Sequence, residues 1–146
     1  MRSTYRVLAF LVAACVAVQA AAIAMGFFGL MHEMEDGGAV TSSYDWESNL
    51  GVMIHRYNGS LIALLVIALL VVSFFTRVPG AVRWAAGLFG LVLLQVALLF
   101  PAFAVDEAWG ALHGLNAFVI LGTALQAGRR VTRVQSDERV PEPAPV

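Results

Sequence analysis

The sequence has no lysine, and its nine basic residues are all arginines. Ten acidic residues balance them to a net charge of −1, which argues against nucleic-acid binding because that function needs a concentrated basic surface. Cys15 is the only cysteine, which excludes an internal disulfide and any metal site built from several cysteines. No nucleophile–base pair, phosphate loop or pair of catalytic carboxylates is visible, so enzymatic activity has no support of its own and stays open.

Apolar residues are abundant instead, at 60% of the chain, and the mean hydropathy is +0.78. A helix needs about 20 apolar residues to cross a bilayer core. Four segments reach that length without a charge near their middle: 7–31, 50–76, 82–105 and 108–127. The sequence therefore predicts an all-α membrane protein, in which one domain (1–130) is an up-down bundle of four transmembrane helices. The polar, proline-containing stretch 131–146 is expected to be a disordered tail.

The charges divide between the loops in a way that predicts the orientation. Arginines precede the first span, flank the turn between the second and third spans, and follow the fourth, whereas the other two loops are acidic. The positive-inside rule then puts both termini and the tail in the cytoplasm. The exclusive use of arginine, with abundant alanine, valine and glycine, is typical of GC-rich prokaryotic genomes. We therefore expect a multi-pass protein of a prokaryotic plasma (inner) membrane.

A phrase of the form His-x-x-Asn-small opens both the second span, at residues 55–59, and the fourth, at residues 113–117. A glutamine lies in the middle of each preceding span, Gln19 in the first and Gln95 in the third. The same residue types thus occur in the same order twice. This pattern predicts two parallel two-helix repeats related by an axis along the membrane normal.

The two histidines are the strongest candidates for a functional site, because an ionisable residue inside a membrane is costly. His55 and His113 each lie five residues into their spans, roughly 8 Å below the outer surface at the helical rise. The second and fourth spans are diagonal in an up-down bundle, so their axes should be about 12–14 Å apart. Two imidazoles facing each other across that distance leave room for a flat iron macrocycle. The residues thus point to a heme with His55 and His113 as metal ligands.

Neighbouring residues in both helices fit such a cofactor. The further predicted cofactor-binding residues are Gly51, Arg56, Asn58, Gly59, Gly110, Asn116 and Ala117. The small residues lie close to a histidine on its helix and would let a planar ring approach. The asparagines could orient a histidine or bond a partner, and the arginine suits an anionic propionate.

These features resemble one half of heme A synthase, a family built from two four-helix halves that also has four-span members acting as homodimers. The matching stretches are Ile54-His55-Arg56, Leu94-Gln95-Val96 and Leu112-His113. Small four-span bacterial membrane proteins with a His-Arg phrase and a later Leu-His-x-x-Asn phrase are similar too. The resemblance implies that both histidines are axial ligands of a b-type heme on the extracytoplasmic side.

The chain departs from that family at two points. The catalytic half of the synthase carries a glutamate just before its His-Arg pair, where this chain has Val52, Met53 and Ile54. The cysteine pair common in the first extracellular loop of bacterial members is also missing. The fold and the heme site therefore carry over better than the synthase reaction.

Three functions remain open on the sequence. The first is a membrane b-type cytochrome for electron transfer, heme carriage or heme modification, with a quinone or a membrane or periplasmic protein as redox partner and a homodimer as one form. The second is an accessory or structural subunit without a cofactor, whose histidines and asparagines bond across helices. The third is a zinc- or quinone-binding protein that also uses His32, since three histidines can hold zinc.

Overall fold

The computed structural model describes residues 1–137, with side chains up to residue 134, and shows five α-helices in that range. Their bounds are α1 Arg2–Glu35, α2 Leu50–Ser73, α3 Ala81–Ala97, α4 Leu99–Ala104 and α5 Ala108–Asp137. α3 and α4 together form one span, so four stretches are long and apolar enough to cross a membrane. The prediction of an all-α, four-span protein is confirmed.

The third span is broken at Leu98, between α3 and α4. Pro101 explains the break, because proline has no N–H to donate to the carbonyl four residues earlier, that of Ala97. Its ring also crowds that carbonyl. The third span is therefore interrupted near the end that carries the histidines.

The turn between α2 and α3 is tight and ordered by its own side chains. Thr76 accepts a hydrogen bond from the backbone N–H of Val78 at 3.3 Å, and Gly80 adopts a left-handed φ of 79° immediately before α3. Glycine adopts a left-handed conformation at little cost because it has no Cβ. The Tyr5 hydroxyl, buried in α1, donates to the carbonyl of Ala81 at 3.1 Å, which ties the start of α1 to the start of α3.

The helices form a closed ring in which α1 packs against α2 and α5, and α3 packs against the same two helices. Within the described residues, the diagonal pairs α1/α3 and α2/α5 have no Cα atoms within 8 Å of each other. The second and fourth spans are therefore diagonal, as predicted. We call the end of the bundle with the arginine-flanked loop at 77–83 the arginine end, and the opposite end the histidine end.

The apolar core occupies the arginine end and the middle of the bundle. Its residues recur every three or four positions, as expected for the inward face of a helix. They include Tyr5, Ala9, Val12, Val16, Ile62, Val66, Leu69, Ala81, Ala85, Leu88, Val92, Ile120, Ala124, Ala127 and Val131. Towards the histidine end the core stops. There, Leu98 is the one large apolar side chain that is buried among the described residues.

The C-terminal part differs from the expectation. α5 continues to Asp137, so residues 131–137 are helical and not part of a disordered tail. Val131 is fully buried and continues the spacing of Ala124 and Ala127, which gives the helix a reason to extend. The remainder of the expected tail, 138–146, lies outside the described residues.

Candidate cofactor site

The two histidines meet near the bundle axis at the histidine end. Their ring centroids are 6.4 Å apart and the ring planes are inclined by 50°. Each histidine is the sixth residue of its helix, α2 or α5, and both rings are half-buried. The structure therefore brings His55 and His113 together at the same depth from diagonal helices.

Each imidazole is held by a backbone carbonyl of the preceding span. Nδ1 of His55 lies 3.4 Å from the carbonyl oxygen of Gln19, and Nδ1 of His113 lies 3.0 Å from that of Gln95. A carbonyl oxygen can only accept, so Nδ1 is the protonated nitrogen in both rings. The other nitrogen, Nε2, then keeps a free lone pair, which is the arrangement found in metal-binding histidines.

Neither Nε2 atom, that of His55 or that of His113, has a hydrogen-bond partner among the described side chains and backbone. Among the described side chains, no fully buried nitrogen or oxygen lacks a partner. Both Nε2 atoms are consequently at least partly exposed at the surface of the described residues.

The spacing of the rings fits two imidazoles on one metal ion. A metal–imidazole bond is about 2 Å long and the ring centroid lies about 1 Å beyond the nitrogen, so two trans ligands have centroids about 6 Å apart. The observed separation of His55 and His113 is 6.4 Å. A direct hydrogen bond between the two Nε2 atoms is not present in the structure. The donor set and its separation thus suit a metal ion held between the two histidines, such as heme iron.

A network of amide side chains lies beside the histidines and repeats in both halves. Asn58 donates from Nδ2 to the carbonyl of Cys15 at 2.7 Å and to Oε1 of Gln19 at 2.9 Å. Asn116 makes the matching bonds to the carbonyl of Leu91 at 2.9 Å and to Oε1 of Gln95 at 2.7 Å.

In each half, the accepting carbonyl lies four residues before the glutamine, so the predicted internal repeat is visible in individual hydrogen bonds. Gln95 also donates from Nε2 to the carbonyl of His113 at 2.9 Å, which is a fourth hydrogen bond between α3 and α5. The asparagine side chains therefore donate to the glutamines and to the backbone, and not to the histidine rings. They fix the helix pair on which each histidine stands.

Gly51 has a different role from the one expected. A Cβ at this position would lie 2.5 Å from Cα of Gly26 and 2.6 Å from the carbonyl oxygen of Ala22. The space beside Gly51 is thus filled by the backbone of α1, not by a cofactor ring. Gly59 also faces α1, because a Cβ there would lie 3.1 Å from Nε2 of Gln19.

The small residues near His113 are placed differently. A Cβ on Gly110 or Gly114 would have no neighbour within 4 Å, so the α5 side of the site is open. Ala117 packs against the apolar core below the histidines. Of the small residues predicted for the site, Gly110 thus has the open surroundings that a planar ring needs.

Arg56 lies at the outer rim of the site. It is largely exposed, and its Nη1 atom lies 3.9 Å from Oε1 of Glu47 in the first loop. An exposed pair at this distance contributes little to stability. The guanidinium is therefore available to an anionic group at the surface of the histidine end.

His32 stands apart from the other two histidines. It is exposed near the end of α1, and its Nδ1 is 2.9 Å from the carbonyl oxygen of Phe28. Within residues 1–137 no group of three or more His, Cys, Asp or Glu side chains is placed to hold a metal ion. The three-histidine zinc arrangement that the sequence left open is not assembled in this structure.

Comparison with known proteins adds one finding. Residues 49–104 match DUF6220, a family of unknown function. This stretch contains α2, α3 and α4, with His55 and Asn58 of the first half and Gln95 of the second, and ends before His113. No curated protein and no solved structure matches the chain. The likeness to heme A synthase thus depends on the residues quoted above.

The carbonyl acceptors of the histidines were not identified from the sequence. Gln19 and Gln95 are recognisable in the sequence as polar residues in the middle of apolar spans. Their backbone oxygens carry no sequence signal of their own. The one available indication was the repeated order of glutamine, histidine and asparagine.

Proposed function

We propose that this protein is an integral membrane b-type cytochrome in which His55 and His113 bind heme iron from opposite sides. The observation that carries the proposal is the pair of half-buried imidazoles whose ring centroids are 6.4 Å apart. Each imidazole donates a hydrogen bond from Nδ1 to a backbone carbonyl. Oriented, neutral imidazoles with free Nε2 atoms are the ligands that heme iron takes.

The distribution of the core supports the same function. Large apolar side chains fill the bundle at the arginine end, whereas the region around the histidines has few. A natural bundle packs its interior to a high density. The end of the bundle that carries His55 and His113 thus has few buried large apolar side chains of its own, and a bulky planar ligand would supply apolar packing there.

Each residue of the site has a separate task in this proposal. His55 and His113 would together hold the iron, which would favour electron transfer or heme carriage over oxygen chemistry. Gln19 and Gln95 orient the imidazoles through their backbone carbonyls, and Arg56 at the rim would bind a propionate. When bound, the heme supplies reversible one-electron exchange.

Partners and location follow from the position of the site. If the arginine end is cytoplasmic, as the positive-inside rule predicts, the heme lies near the outer face of a prokaryotic plasma membrane. Its redox partner is then a quinone, a periplasmic protein or a neighbouring membrane enzyme. A homodimer that modifies heme is the variant closest to the synthase resemblance.

Absorption spectroscopy tests the proposal directly. The full chain, expressed with ample heme and purified in detergent, should show a sharp reduced b-type α-band and the electron paramagnetic resonance signal of low-spin ferric heme. His55→Ala and His113→Ala should each abolish these signals or convert them to a high-spin form. His32→Ala, the matched control, should leave them unchanged, and a wild-type protein without iron porphyrin would refute the assignment.

One observation favours a second function, that of an accessory subunit without a cofactor. The asparagine and glutamine side chains satisfy each other and the backbone without any ligand, and such networks stabilise helix pairs in membranes. This alternative predicts a colourless wild-type protein and a His55→Ala/His113→Ala double variant that is less stable to detergent denaturation. Metal analysis separates a zinc protein from both, since it would find zinc without iron.

A further inference from the structure

A second candidate binding site lies at the other end of the bundle. A groove of about 530 Å³ runs between α3 and α5 at the arginine end. Arg83 on α3 and Arg130 on α5 both line it. The lining extends along α3 from Gly80 to Leu91, a distance of about 16 Å at a rise of about 1.5 Å per residue. The groove therefore combines two cations with an apolar continuation into the membrane. It is separate from the histidines.

No carboxylate among the described side chains, residues 1–134, neutralises the two guanidinium groups in the groove. The structure shows neither Arg83 nor Arg130 within 4.0 Å of a carboxylate of the described residues. Guanidinium groups form bidentate, charge-assisted hydrogen bonds with phosphate and carboxylate groups. Two of them lining one groove at the end of a span form a site for an anionic group.

Arg130 is also held in place before any ligand binds. Its guanidinium lies over the ring of Trp84, 5.1 Å from the centroid, and its Nη1 atom is 3.5 Å from the position of a Cβ on Gly80. A cation–π contact of this kind restricts a flexible side chain. Less conformational entropy is then lost when an anion binds.

The rest of the groove is suited to a hydrocarbon chain. A Cβ on Gly87 would meet nothing within 4 Å, so the glycine leaves a depression in the surface of α3. Leu91 adds an apolar side chain to the lining and belongs to a span whose mean hydropathy is 2.2. A ligand that fills the whole groove thus has an anionic head and an apolar tail.

We propose that this groove binds one anionic phospholipid, with its phosphate between Arg83 and Arg130 and an acyl chain along Gly87 and Leu91. The charge of the arginines and the position of the groove along a membrane span favour a bilayer lipid over a free anion. Basic pockets between transmembrane helices are typical sites for such headgroups. The proposal does not depend on the heme assignment.

Native mass spectrometry of the full chain in mild detergent tests it, with phosphatidylglycerol and phosphatidylcholine added in equal amounts. We expect one phosphatidylglycerol to be retained at least tenfold more often than phosphatidylcholine. Arg83→Gln/Arg130→Gln should lower this retention by about tenfold or more, because each arginine near a lipid phosphate contributes about a fivefold factor. Arg129→Gln/Arg133→Gln removes the same charge outside the groove and should retain the lipid.

A shape variant tests the same site without changing charge. Gly87→Leu fills the depression and should reduce retention, whereas Gly90→Leu, on the same helix but outside the lining, should not. If the double arginine variant fails to fold, the comparison of Gly87→Leu with Gly90→Leu still tests whether the lipid binds in this groove. Three results would overturn the proposal: equal retention of phosphatidylcholine, an equal loss in the Arg129/Arg133 control, or displacement of the lipid by glycerol phosphate alone.

Discussion

Gly51→Ala is the substitution whose effect the structure defines most sharply. The added Cβ would lie 2.5 Å from Cα of Gly26 and 2.6 Å from the carbonyl oxygen of Ala22. Both atoms belong to the backbone of α1, so no side chain can rotate to relieve the overlap. The two helices must move apart at the contact that lies one turn before His55.

The size of the effect follows from two opposing contributions. Overpacking a close contact costs about 1–3 kcal/mol, while alanine gains up to about 1 kcal/mol over glycine in a helix. Because the overlap is with backbone atoms, the cost should lie in the upper part of that range, about 2–3 kcal/mol, and we expect Gly51→Ala to lower the free energy of unfolding by about 1–2 kcal/mol. Gly110→Ala is the matched control, because its Cβ meets nothing within 4 Å and it should be neutral or stabilising by up to about 1 kcal/mol.

Reversible unfolding in mixed micelles of increasing sodium dodecyl sulfate content, followed by far-UV circular dichroism, measures both variants. The reasoning is refuted if Gly51→Ala is as stable as the wild type, or if the two variants lose equal stability. A heme-loaded protein adds a second measurement. Displacement of α2 by Gly51→Ala should weaken heme retention, since His55 moves with the helix.

Three further substitutions test the described contacts. Asn116→Leu removes both hydrogen bonds that the side chain donates to α3 and should cost about 1–2 kcal/mol at the average strength of such bonds in membranes; equal unfolding curves would contradict this. Tyr5→Phe removes the bond to the carbonyl of Ala81 and should cost about 0.5–1.5 kcal/mol in the same assay, with no change in any heme spectrum. Pro101→Ala restores a donor for the carbonyl of Ala97 and should join α3 to α4, which spin-label distances across the break would detect; an unchanged distance would show that proline is not the cause.

Much of the fold could be predicted from composition and periodicity. Apolar runs of spanning length predict the four spans. The repeated order of glutamine, histidine and asparagine predicts an internal repeat, which the structure shows as matched hydrogen bonds. The diagonal placement of the histidines followed from an up-down bundle with short loops. The proximity of His55 and His113 could be predicted because both histidines lie at the same depth in their helices.

Other features required the tertiary structure. Spacing shows that Gly51 shares a helix face with His55, but it does not show which neighbouring helix covers that glycine. The sequence does not show clearly where α5 ends, because the charges and prolines near the C-terminus indicate a tail and the apolar spacing that continues the helix is a weaker signal. Val131 continues the apolar stripe and is buried, so packing against the bundle extends the helix beyond the polar residues 129–130.

The uneven distribution of the apolar core has a consequence for biogenesis. A chain whose packed body lies at one end can be inserted and folded before anything occupies the other end. Loading of a prosthetic group would then be a late step, performed on a finished scaffold from the face where the rings are reachable. If the protein binds a heme, insertion and folding of the bundle would therefore come first and loading of the cofactor second.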